Sequence, residues 1–321
     1  MTMKELFQNF KKLNILVVGD LILDNYIWGS VKRISPEAPV PIVTVNRREN
    51  RIGGAGNVAA NLASLKVNVT IAGVCGEDKN AEILSDLFDQ EKIRPFLIQT
   101  PSRKTTTKSR VIAQRQQLLR IDEEDTEPVK KDVARKLISQ ISSVKENFDG
   151  VILSDYAKGL LSEDFIQEML NLFKNKPVII DPKGFNYRKY HGATTIKPNF
   201  REFAAAIRHP ELTQDEMDDY ARKLVKDLNL KGIVVTLGED GVYILNDKSE
   251  SLRIPTKAKE VYDVSGAGDT FIASFTAGLI LSGDWFTAAK AGNLASGVVV
   301  GKIGTATTTI EEMFNHIDLY G

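Results

Sequence analysis

The chain contains the stretch Asp263-Val264-Ser265-Gly266-Ala267-Gly268-Asp269-Thr270, and residues 271–279 follow it directly as an apolar run with the period of a helix. A turn of small residues that enters a helix leaves the first backbone amides unpaired, beside the positive end of the helix dipole. Such a helix start attracts an oxyanion and suits a phosphoryl group during transfer. The stretch therefore predicts an anion-binding turn at the start of a buried helix.

Asp269 lies in this turn, where its carboxylate could accept the proton of an attacking hydroxyl. The amides of Gly266, Ala267 and Gly268 would at the same time stabilise negative charge on the phosphate. Asp263 adds a second acid just upstream. A structural interpretation is also open, in which Asp269 caps the helix and the glycines allow close packing. The turn alone does not choose between a catalytic base and a helix cap.

Short β-branched runs alternate along the chain with amphipathic helical stretches, the pattern of a parallel sheet with crossover helices. The predicted strands are residues 14–18, 68–74, 150–154, 177–180, 194–196 and 232–236. The predicted helices are residues 57–65, 80–90, 130–144, 163–174, 199–207, 214–228, 268–281 and 285–300. We therefore expect an α/β fold, with a central, mostly parallel sheet flanked by helices.

Two stretches, at about residues 25–51 and 96–122, are β-rich and contain no helical pattern. Together they could form a small antiparallel β-sheet lid over the strand ends, where open α/β sheets place their ligands. No linker or internal repeat divides the chain. The expected organisation is one domain, residues 1–321, with a lid made of two insertions.

Composition excludes several functional classes. The 42 Lys and Arg balance 42 Asp and Glu, so the bulk charge favours neither a nucleic acid nor an anionic membrane as partner. The single cysteine, Cys75, excludes an intramolecular disulfide, and its apolar neighbours predict a buried thiol. We find no secretory pattern and no run of ~20 apolar residues that could cross a membrane. These features predict a soluble, cytoplasmic protein.

A second glycine-rich segment is Gly53-Gly54-Ala55-Gly56-Asn57. Backbone without side chains lets a polyhydroxyl ligand come close, and an Asn amide both donates and accepts hydrogen bonds, as a sugar requires. Residues 54–59 also satisfy the G-x-G-x-x-A dinucleotide fingerprint. That fingerprint should follow a buried strand, whereas the charged residues 47–51 precede it here. A sugar ligand is therefore favoured over a nicotinamide cofactor.

These two glycine segments resemble the signatures of the PfkB family of ribokinase-like carbohydrate kinases, and the resemblance spans nearly the whole chain. It implies a ribokinase-like fold, ATP as co-substrate, and Asp269 as the catalytic base. It places Gly53, Gly54 and Asn57 at the sugar. It also assigns sugar hydroxyls to Asp20 and Asp24, which follow the first strand, although Asp24 with Asn25 could simply make a turn.

Asn199-Phe200-Arg201-Glu202 matches the Asn-x-x-Glu motif of that family. The resemblance implies that Lys197, Asn199 and Glu202 serve the nucleotide phosphates and Mg²⁺, with Glu202 binding the metal through water. A plain capping box at a helix start is the alternative. The resemblance also assigns nucleotide-binding roles to Thr236, Gly238, Glu239, Gly241 and Asn293. For the loop at residues 236–241, an ordinary hairpin would show the same pattern.

Further stretches resemble one branch of the family, the D-glycero-β-D-manno-heptose 7-phosphate kinases of lipopolysaccharide precursor synthesis. They are residues 33–41, with Ser35-Pro36-Glu37-Ala38-Pro39, and residues 154–159, 181–184 and 260–264. This resemblance implies ATP-dependent phosphorylation of the anomeric hydroxyl to the 1,7-bisphosphate. Another PfkB kinase, acting on a different sugar, sugar phosphate or nucleoside, is the alternative. A sugar-binding regulator without activity is disfavoured by Asp269 and the intact Gly-Ala-Gly run.

A phosphorylated sugar needs fixed cations near its phosphate, and Lys158 and Lys183 stand beside glycines in these stretches. Arg110 is the lid cation that we predict to bind substrate, among Arg103, Lys104, Lys108, Arg115 and Arg120. Asp155 is a further candidate substrate ligand at a strand end. For each basic residue, a solvated surface position is an equally good interpretation.

Family members often form homodimers through the lid, and the resemblance implies the same here. Ile42, Val43 and Val45 give this a physical motive, because a small sheet open on both faces leaves apolar surface unburied. The chain ends at Gly321, soon after the last predicted helix. We therefore expect a kinase without the fused nucleotidyltransferase domain that many bacterial relatives carry.

Overall fold

Strands and helices alternate along the chain in a computed structural model that describes residues 1–114, 116–256, 264–302 and 306–317. The strands are β1 (Asn14–Gly19), β2 (Leu21–Ile34), β3 (Pro41–Gly54), β4 (Asn68–Gly76), β5 (Arg94–Thr100), β6 (Thr106–Ala113), β7 (Gln116–Glu123), β8 (Gly150–Ser154), β9 (Val178–Asp181), β10 (Thr195–Ile196), β11 (Ile233–Thr236), β12 (Val242–Leu245) and β13 (Ser251–Ile254). The helices are α1 (Met3–Asn9), α2 (Ala55–Ser64), α3 (Lys79–Gln90), α4 (Lys131–Ser142), α5 (Glu163–Leu172), α6 (Phe200–Ala206), α7 (Met217–Asp227), α8 (Ala267–Ser282), α9 (Trp285–Val299) and α10 (Ile310–His316).

The central sheet has the strand order β10-β9-β8-β1-β4-β5, and every neighbouring pair in it is parallel. Successive side chains of a strand point to opposite faces. Accordingly, Leu16 and Val18 of β1 pack into the core under α4 and α5, whereas Ile15 and Val17 pack against α2 and α8. Helices cover both faces, and the predicted α/β fold class is confirmed.

Two strands differ from the sequence prediction. Residues 232–236 were expected in the central sheet, but β11 pairs antiparallel with β12 in a separate sheet that β13 completes. Within the described ranges, its link to the central sheet is a parallel bridge between Asn199 and Thr236. The sixth strand of the central sheet is instead β5. It pairs with β4, with Thr70 opposite Arg94 at one end and Gly76 opposite Thr100 at the other. Several of its side chains are partly exposed, as on an edge strand, so its pattern resembled that of the lid.

The lid is a sheet of strand order β3-β2-β6-β7. β2 and β3 form a long antiparallel hairpin and β6 and β7 a second one, but β2 and β6 run parallel. The lid is thus a mixed sheet rather than the fully antiparallel one predicted. Its strands span residues 21–54 and 106–123, so the predicted stretches began too late at residue 25 and too early at residue 96.

Four polar residues lie at one edge of the central sheet, at the carboxyl ends of β1, β8, β9 and β10. They are Asp20, Asp155, Asp181 and Lys197. α2 and α8 meet at the same edge, where the Thr270 hydroxyl donates to Asn61 at 2.7 Å. Cys75 is buried, and burial raises the pKa of its thiol to about 12, as expected for a structural cysteine. None of the helices within the described residues is long and apolar enough to span a bilayer.

Candidate active site

Asp269 occupies the first turn of α8 and is 6% exposed. Its two carboxylate oxygens accept different hydrogen bonds: Oδ2 accepts from the Asn57 amide at 2.6 Å, and Oδ1 accepts from the Tyr156 hydroxyl at 2.9 Å. Burial raises the pKa of Asp269 above its ordinary value, while these two hydrogen bonds and the nearby charge of Lys197 act in the opposite direction. The structure therefore joins the two predicted glycine segments at one carboxylate.

The turn before α8 has the geometry of an anion-binding helix start. Gly266 takes a left-handed conformation, with φ of 81°, directly before the first helical residue. One prediction changes, because the Ala267 amide donates to the Val264 carbonyl at 3.3 Å and is used within the turn. The Gly268 amide has no backbone acceptor among the described residues. Asp263, the second acid of this stretch, lies outside the described residues.

Lys197 extends a positive charge toward this turn. It is 4% exposed, and a β-carbon built on Gly268 would lie 3.2 Å from its ammonium nitrogen. Asp181 accepts an ion pair from that ammonium at 3.1 Å. Burial raises the pKa of Asp181 to about 7, against the opposing effect of Lys197, and the charge of Asp269 adds to the rise. A buried lysine beside an unpaired amide can hold a phosphoryl oxygen.

Asp20 is buried, and its carboxylate is occupied by the loop that follows β8. Oδ2 accepts the amides of Tyr156 at 2.9 Å and Lys158 at 3.0 Å, and Oδ1 accepts the Leu160 amide at 3.3 Å. Burial raises the pKa of Asp20, and these backbone donors oppose the rise. Asp20 therefore binds the backbone of the loop at residues 156–160.

Asp24 lies on β2, 4% exposed, where the lid joins the central sheet. Arg110 of β6 donates to its Oδ1 at 2.5 Å, and its guanidinium also lies 5.3 Å from the centre of the Tyr26 ring. Gly53 lets Asp24 come close, because a β-carbon there would lie 2.5 Å from Asp24 Oδ2. Three predicted substrate residues, Asp24, Gly53 and Arg110, thus form one group at the base of the lid.

Two further predicted substrate residues, Asp155 and Lys158, are already paired. Asp155 accepts from Lys189 at 2.5 Å, from the Tyr190 hydroxyl at 2.7 Å and from the Ala157 amide at 2.8 Å. The Lys158 ammonium pairs with Glu124 at 2.8 Å, at the end of the lid. These contacts fix the loop after β8 to the lid and to the residues that follow β9.

Asn199 and Glu202 form the capping box that was the structural alternative for this motif. The Asn199 side chain accepts the Glu202 amide at 2.9 Å, and Glu202 Oε2 accepts the Asn199 amide at 3.1 Å. Lys183 donates to Glu202 Oε1 at 2.8 Å, and this hydrogen bond raises the pKa of the lysine. Lys183 therefore lies with the predicted nucleotide residues rather than with Lys158 and Arg110.

The strand end at Thr236 lies beside Asn199, through the bridge between the two residues. Gly238 and Gly241 in the loop that follows both have positive φ, 66° and 93°, around a short 3₁₀ turn that includes Glu239. Asn293 of α9 donates to the Pro255 carbonyl at 3.0 Å, just before residues 257–263, which lie outside the described part of the chain. The loop is a hairpin whose turn lies next to the Asn-x-x-Glu helix.

Glu202 is the predicted magnesium ligand. Its side chain is 21% exposed, and one of its oxygens pairs with Lys183, whose side chain is half exposed. Across residues 1–114, 116–256, 264–302 and 306–317, no cluster of three His, Cys, Asp or Glu side chains could hold a metal by itself. This donor set fits Mg²⁺ that is bound mainly by phosphates and water, with one carboxylate nearby.

Tyr156, whose hydroxyl donates to Asp269, was not among the predicted site residues, although residues 154–159 resemble the heptose kinases. Asp181 lies in the stretch of residues 181–184 that resembles the heptose kinases, but its pairing with Lys197 was not predicted. Neither belongs to a spacing pattern with a known chemical meaning. A tyrosine two residues after a buried strand, next to an aspartate, was the available signal for Tyr156.

The fold and this site define a class: a ribokinase-like α/β protein with a buried carboxylate in the first turn of a helix. The chain belongs to the pfkB family of carbohydrate kinases, whose family model matches residues 12–313. It is an ATP-dependent sugar kinase. The resemblance stated from the two glycine segments is thereby confirmed.

Curated relatives match along nearly the entire chain. The bifunctional protein HldE of Trichlorobacter lovleyi is 40% identical over 319 residues, which are 98% of this chain and 65% of that protein. The bifunctional protein HldE of Haemophilus influenzae is 41% identical over 311 residues, which are 96% of this chain and 64% of that protein. The chain therefore spans about 65% of the length of these relatives.

Solved structures confirm the fold. Phosphofructokinase-2 from Escherichia coli, in complex with potassium, superposes with a TM-score of 0.80 at 18% identity over 96% of this chain and 99% of that chain. Ribokinase from Arabidopsis thaliana, complexed with ribose and ATP, gives a TM-score of 0.74 at 18% identity over 94% and 98%. At this identity the similarity establishes a ribokinase-like architecture.

Proposed function

We propose that the protein uses ATP to phosphorylate the anomeric hydroxyl of D-glycero-β-D-manno-heptose 7-phosphate, which gives the 1,7-bisphosphate for lipopolysaccharide precursors. The observation that carries the chemistry is the buried Asp269, held by Asn57 and Tyr156 at the start of α8, with Lys197 beside Gly268. The choice of heptose rests on the sequence resemblance of residues 33–41, 154–159 and 181–184 to that branch of the family.

In the proposed reaction, Asp269 accepts the proton of the anomeric hydroxyl while the hydroxyl oxygen attacks the γ-phosphorus. The bond from that phosphorus to the bridging oxygen of ADP breaks in the same in-line displacement, so no covalent enzyme intermediate forms. The Lys197 ammonium and the amides of Gly266 and Gly268 stabilise the charge on the transferred group. The Ala267 amide already donates to the Val264 carbonyl, so we do not assign it to the phosphate.

The acceptor sugar would lie between the lid and the start of α2. Asp24, Gly53, Gly54 and Asn57 would line that position, and Arg110, which pairs with Asp24, would supply a cation there. A guanidinium that already binds one carboxylate oxygen still has donors for a phosphate. We propose that Asp24 binds sugar hydroxyls and that Arg110 contacts the 7-phosphate.

Asp20, Asp155 and Lys158 support this site through the loop after β8. Their carboxylates and ammonium are engaged by backbone amides and by Lys189, Tyr190 and Glu124. These contacts link the loop to the lid and to the residues that follow β9. We therefore propose that they hold the loop in place.

The nucleotide would lie along residues 197–202 and 236–241. Asn199 and Lys183 would bind phosphates. Asn293 with Thr236, Gly238, Glu239 and Gly241 would form the side near the ribose and base. Bound magnesium would neutralise phosphate charge, and Glu202 would hold it through water.

The lid has two unlike faces, and we propose that the outer one forms a homodimer. Alternate residues of a strand point to opposite faces, so the face with Asp24 and Arg110 is opposite the face with Ile121 and Leu119. Leu119 and Ile121 are 54% and 46% exposed. An apolar patch of this kind on a small sheet is typical of a protein interface.

A coupled assay of ADP release tests the acceptor. The panel would contain heptose 7-phosphate, unphosphorylated heptose, fructose 1-phosphate, fructose 6-phosphate, ribose and a nucleoside. We expect kcat/KM for heptose 7-phosphate to exceed that for every other acceptor by at least about 100-fold, since one charged hydrogen-bonded group contributes about that much. A higher kcat/KM for another member of the panel would identify that compound's class as the substrate and contradict the proposal.

A further inference from the structure

The Tyr156 hydroxyl is the second donor to the carboxylate of Asp269, at 2.9 Å. Burial and the charge of Asp269 raise the pKa of Tyr156 well above its ordinary value, so the phenol keeps its proton and acts as a donor. A hydrogen bond donated to a carboxylate stabilises the ionised form, which is the form a base needs. This bond therefore opposes the effect of burying Asp269.

The position of Tyr156 is fixed independently of Asp269. Its amide donates to Asp20 at 2.9 Å, and two further amides of the same loop, from Lys158 and Leu160, donate to the same carboxylate. Asp155, next to it in sequence, is held by Lys189 and Tyr190. The hydroxyl thus reaches Asp269 from an anchored loop, so it can orient the carboxylate as well as stabilise it.

We infer that Tyr156 is a positioning residue for the catalytic base: it orients the carboxylate of Asp269 and sets the pH range in which that carboxylate can accept a proton. The inference rests on the proposed role of Asp269 and adds a residue that lies outside the two glycine segments.

Several other groups face Asp269 and remain in place when Tyr156 changes. Asn57 donates from α2, Lys197 brings a positive charge from the end of β10, and the carboxylates of Asp24 on β2 and Asp181 on β9 bring negative charge. Asp181 needs a separate control, because its pKa of about 7 lies within the range of the measurement. The experiment therefore includes an Asp181→Asn background.

The test is the pH profile of kcat/KM for Tyr156→Phe, measured with the best acceptor of the panel. Without the hydroxyl the ionised form of Asp269 loses a donor, so the pKa of the base rises and the acid limb moves to higher pH. We expect a shift of roughly one pH unit. At pH values below the acid limb, kcat/KM of the wild type should be about tenfold higher than that of Tyr156→Phe. At high pH the two profiles should converge.

Tyr187→Phe is the matched control. Its hydroxyl is also buried, but it has no hydrogen-bond partner among the described residues. The control should leave the acid limb within about 0.2 units of wild type, and Tyr156→Phe should shift the limb equally in the Asp181→Asn background.

An acid limb that stays in place in Tyr156→Phe overturns the inference, even if kcat falls at all pH values, because that result describes a purely structural residue. Asp269→Asn, assayed in parallel, separates the two proposals. If Asp269→Asn is inactive while the Tyr156→Phe profile is unmoved, only the role of Tyr156 fails. If Asp269→Asn retains near-normal turnover, the base assignment fails and the role of Tyr156 fails with it.

Discussion

At the scale of single residues, Arg110 shows what the sequence could and could not predict. Its membership of a basic lid stretch made it one of six comparable candidates. The structure distinguishes it, because it pairs with the buried Asp24 and lies against Tyr26, whereas Lys108 pairs with Asp122 and Glu124. Burial lowers the pKa of Arg110, but the hydrogen bond and charge of Asp24 outweigh this and raise it. Such pairings depend on strand register, which a single sequence does not contain.

Arg110→Ala tests the proposed contact with the substrate phosphate. We expect KM for the sugar phosphate to rise by about 10–100-fold with a smaller change in kcat, because a charged hydrogen bond is lost from ground and transition states alike. Steady-state kinetics with heptose 7-phosphate and with unphosphorylated heptose would measure the change in KM.

Arg120→Ala is the control, since Arg120 lies opposite Arg110 on β7 and is half exposed beside Asp122. It should change KM less than about twofold. An equal loss for both sugars in Arg110→Ala would show that the arginine acts through Asp24 rather than on the phosphate.

At the scale of elements, periodicity and turn residues predicted the alternation of strands and helices, and five of the six predicted strands lie in the central sheet. The two errors share a cause. An apolar pattern indicates burial, and both the edge strand β5 and the lid strands are partly exposed. In β11, by contrast, Ile233, Val234 and Val235 are buried although the strand belongs to the separate sheet. Strand partners are set by contacts remote in sequence, which pattern alone does not reveal.

The outer face of the lid gives a prediction at this scale. In a size-exclusion experiment with light scattering at micromolar protein, we expect the wild type to have the mass of a dimer. Leu119→Glu combined with Ile121→Glu should give a monomer, because two charges would be buried without partners. The fold should be preserved, since both side chains are exposed in the single chain.

Leu252→Glu is the matched control, a similarly exposed leucine on β13 at 39% exposure. It should leave the dimer intact. A monomeric wild type, or a dimer that persists in the lid variant, would contradict the proposed interface.

At the scale of the whole molecule, the site exists only because distant segments meet. Asn57 and Asp269 are 212 residues apart in sequence, and Tyr156 and Asp269 are 113 apart. The sequence pointed to Asn57 and Asp269 separately, since each belongs to a glycine-rich helix start with a physical meaning. Their shared hydrogen bond follows from the packing of α2 on α8, and the contact with Tyr156 follows from the place of β8 beside β1. These contacts are therefore determined by the order and packing of strands and helices, which the spacing of motifs does not specify.

The most direct test of the account is the turnover of Asp269→Asn with ATP and the acceptor sugar. Asparagine keeps the size of the side chain and its place at the helix start but cannot accept the proton. We expect kcat to fall by roughly 100-fold or more. Binding of ATP, measured by calorimetry, and the melting temperature should stay close to wild type. Turnover within a few-fold of wild type would contradict the assignment of Asp269 as the base.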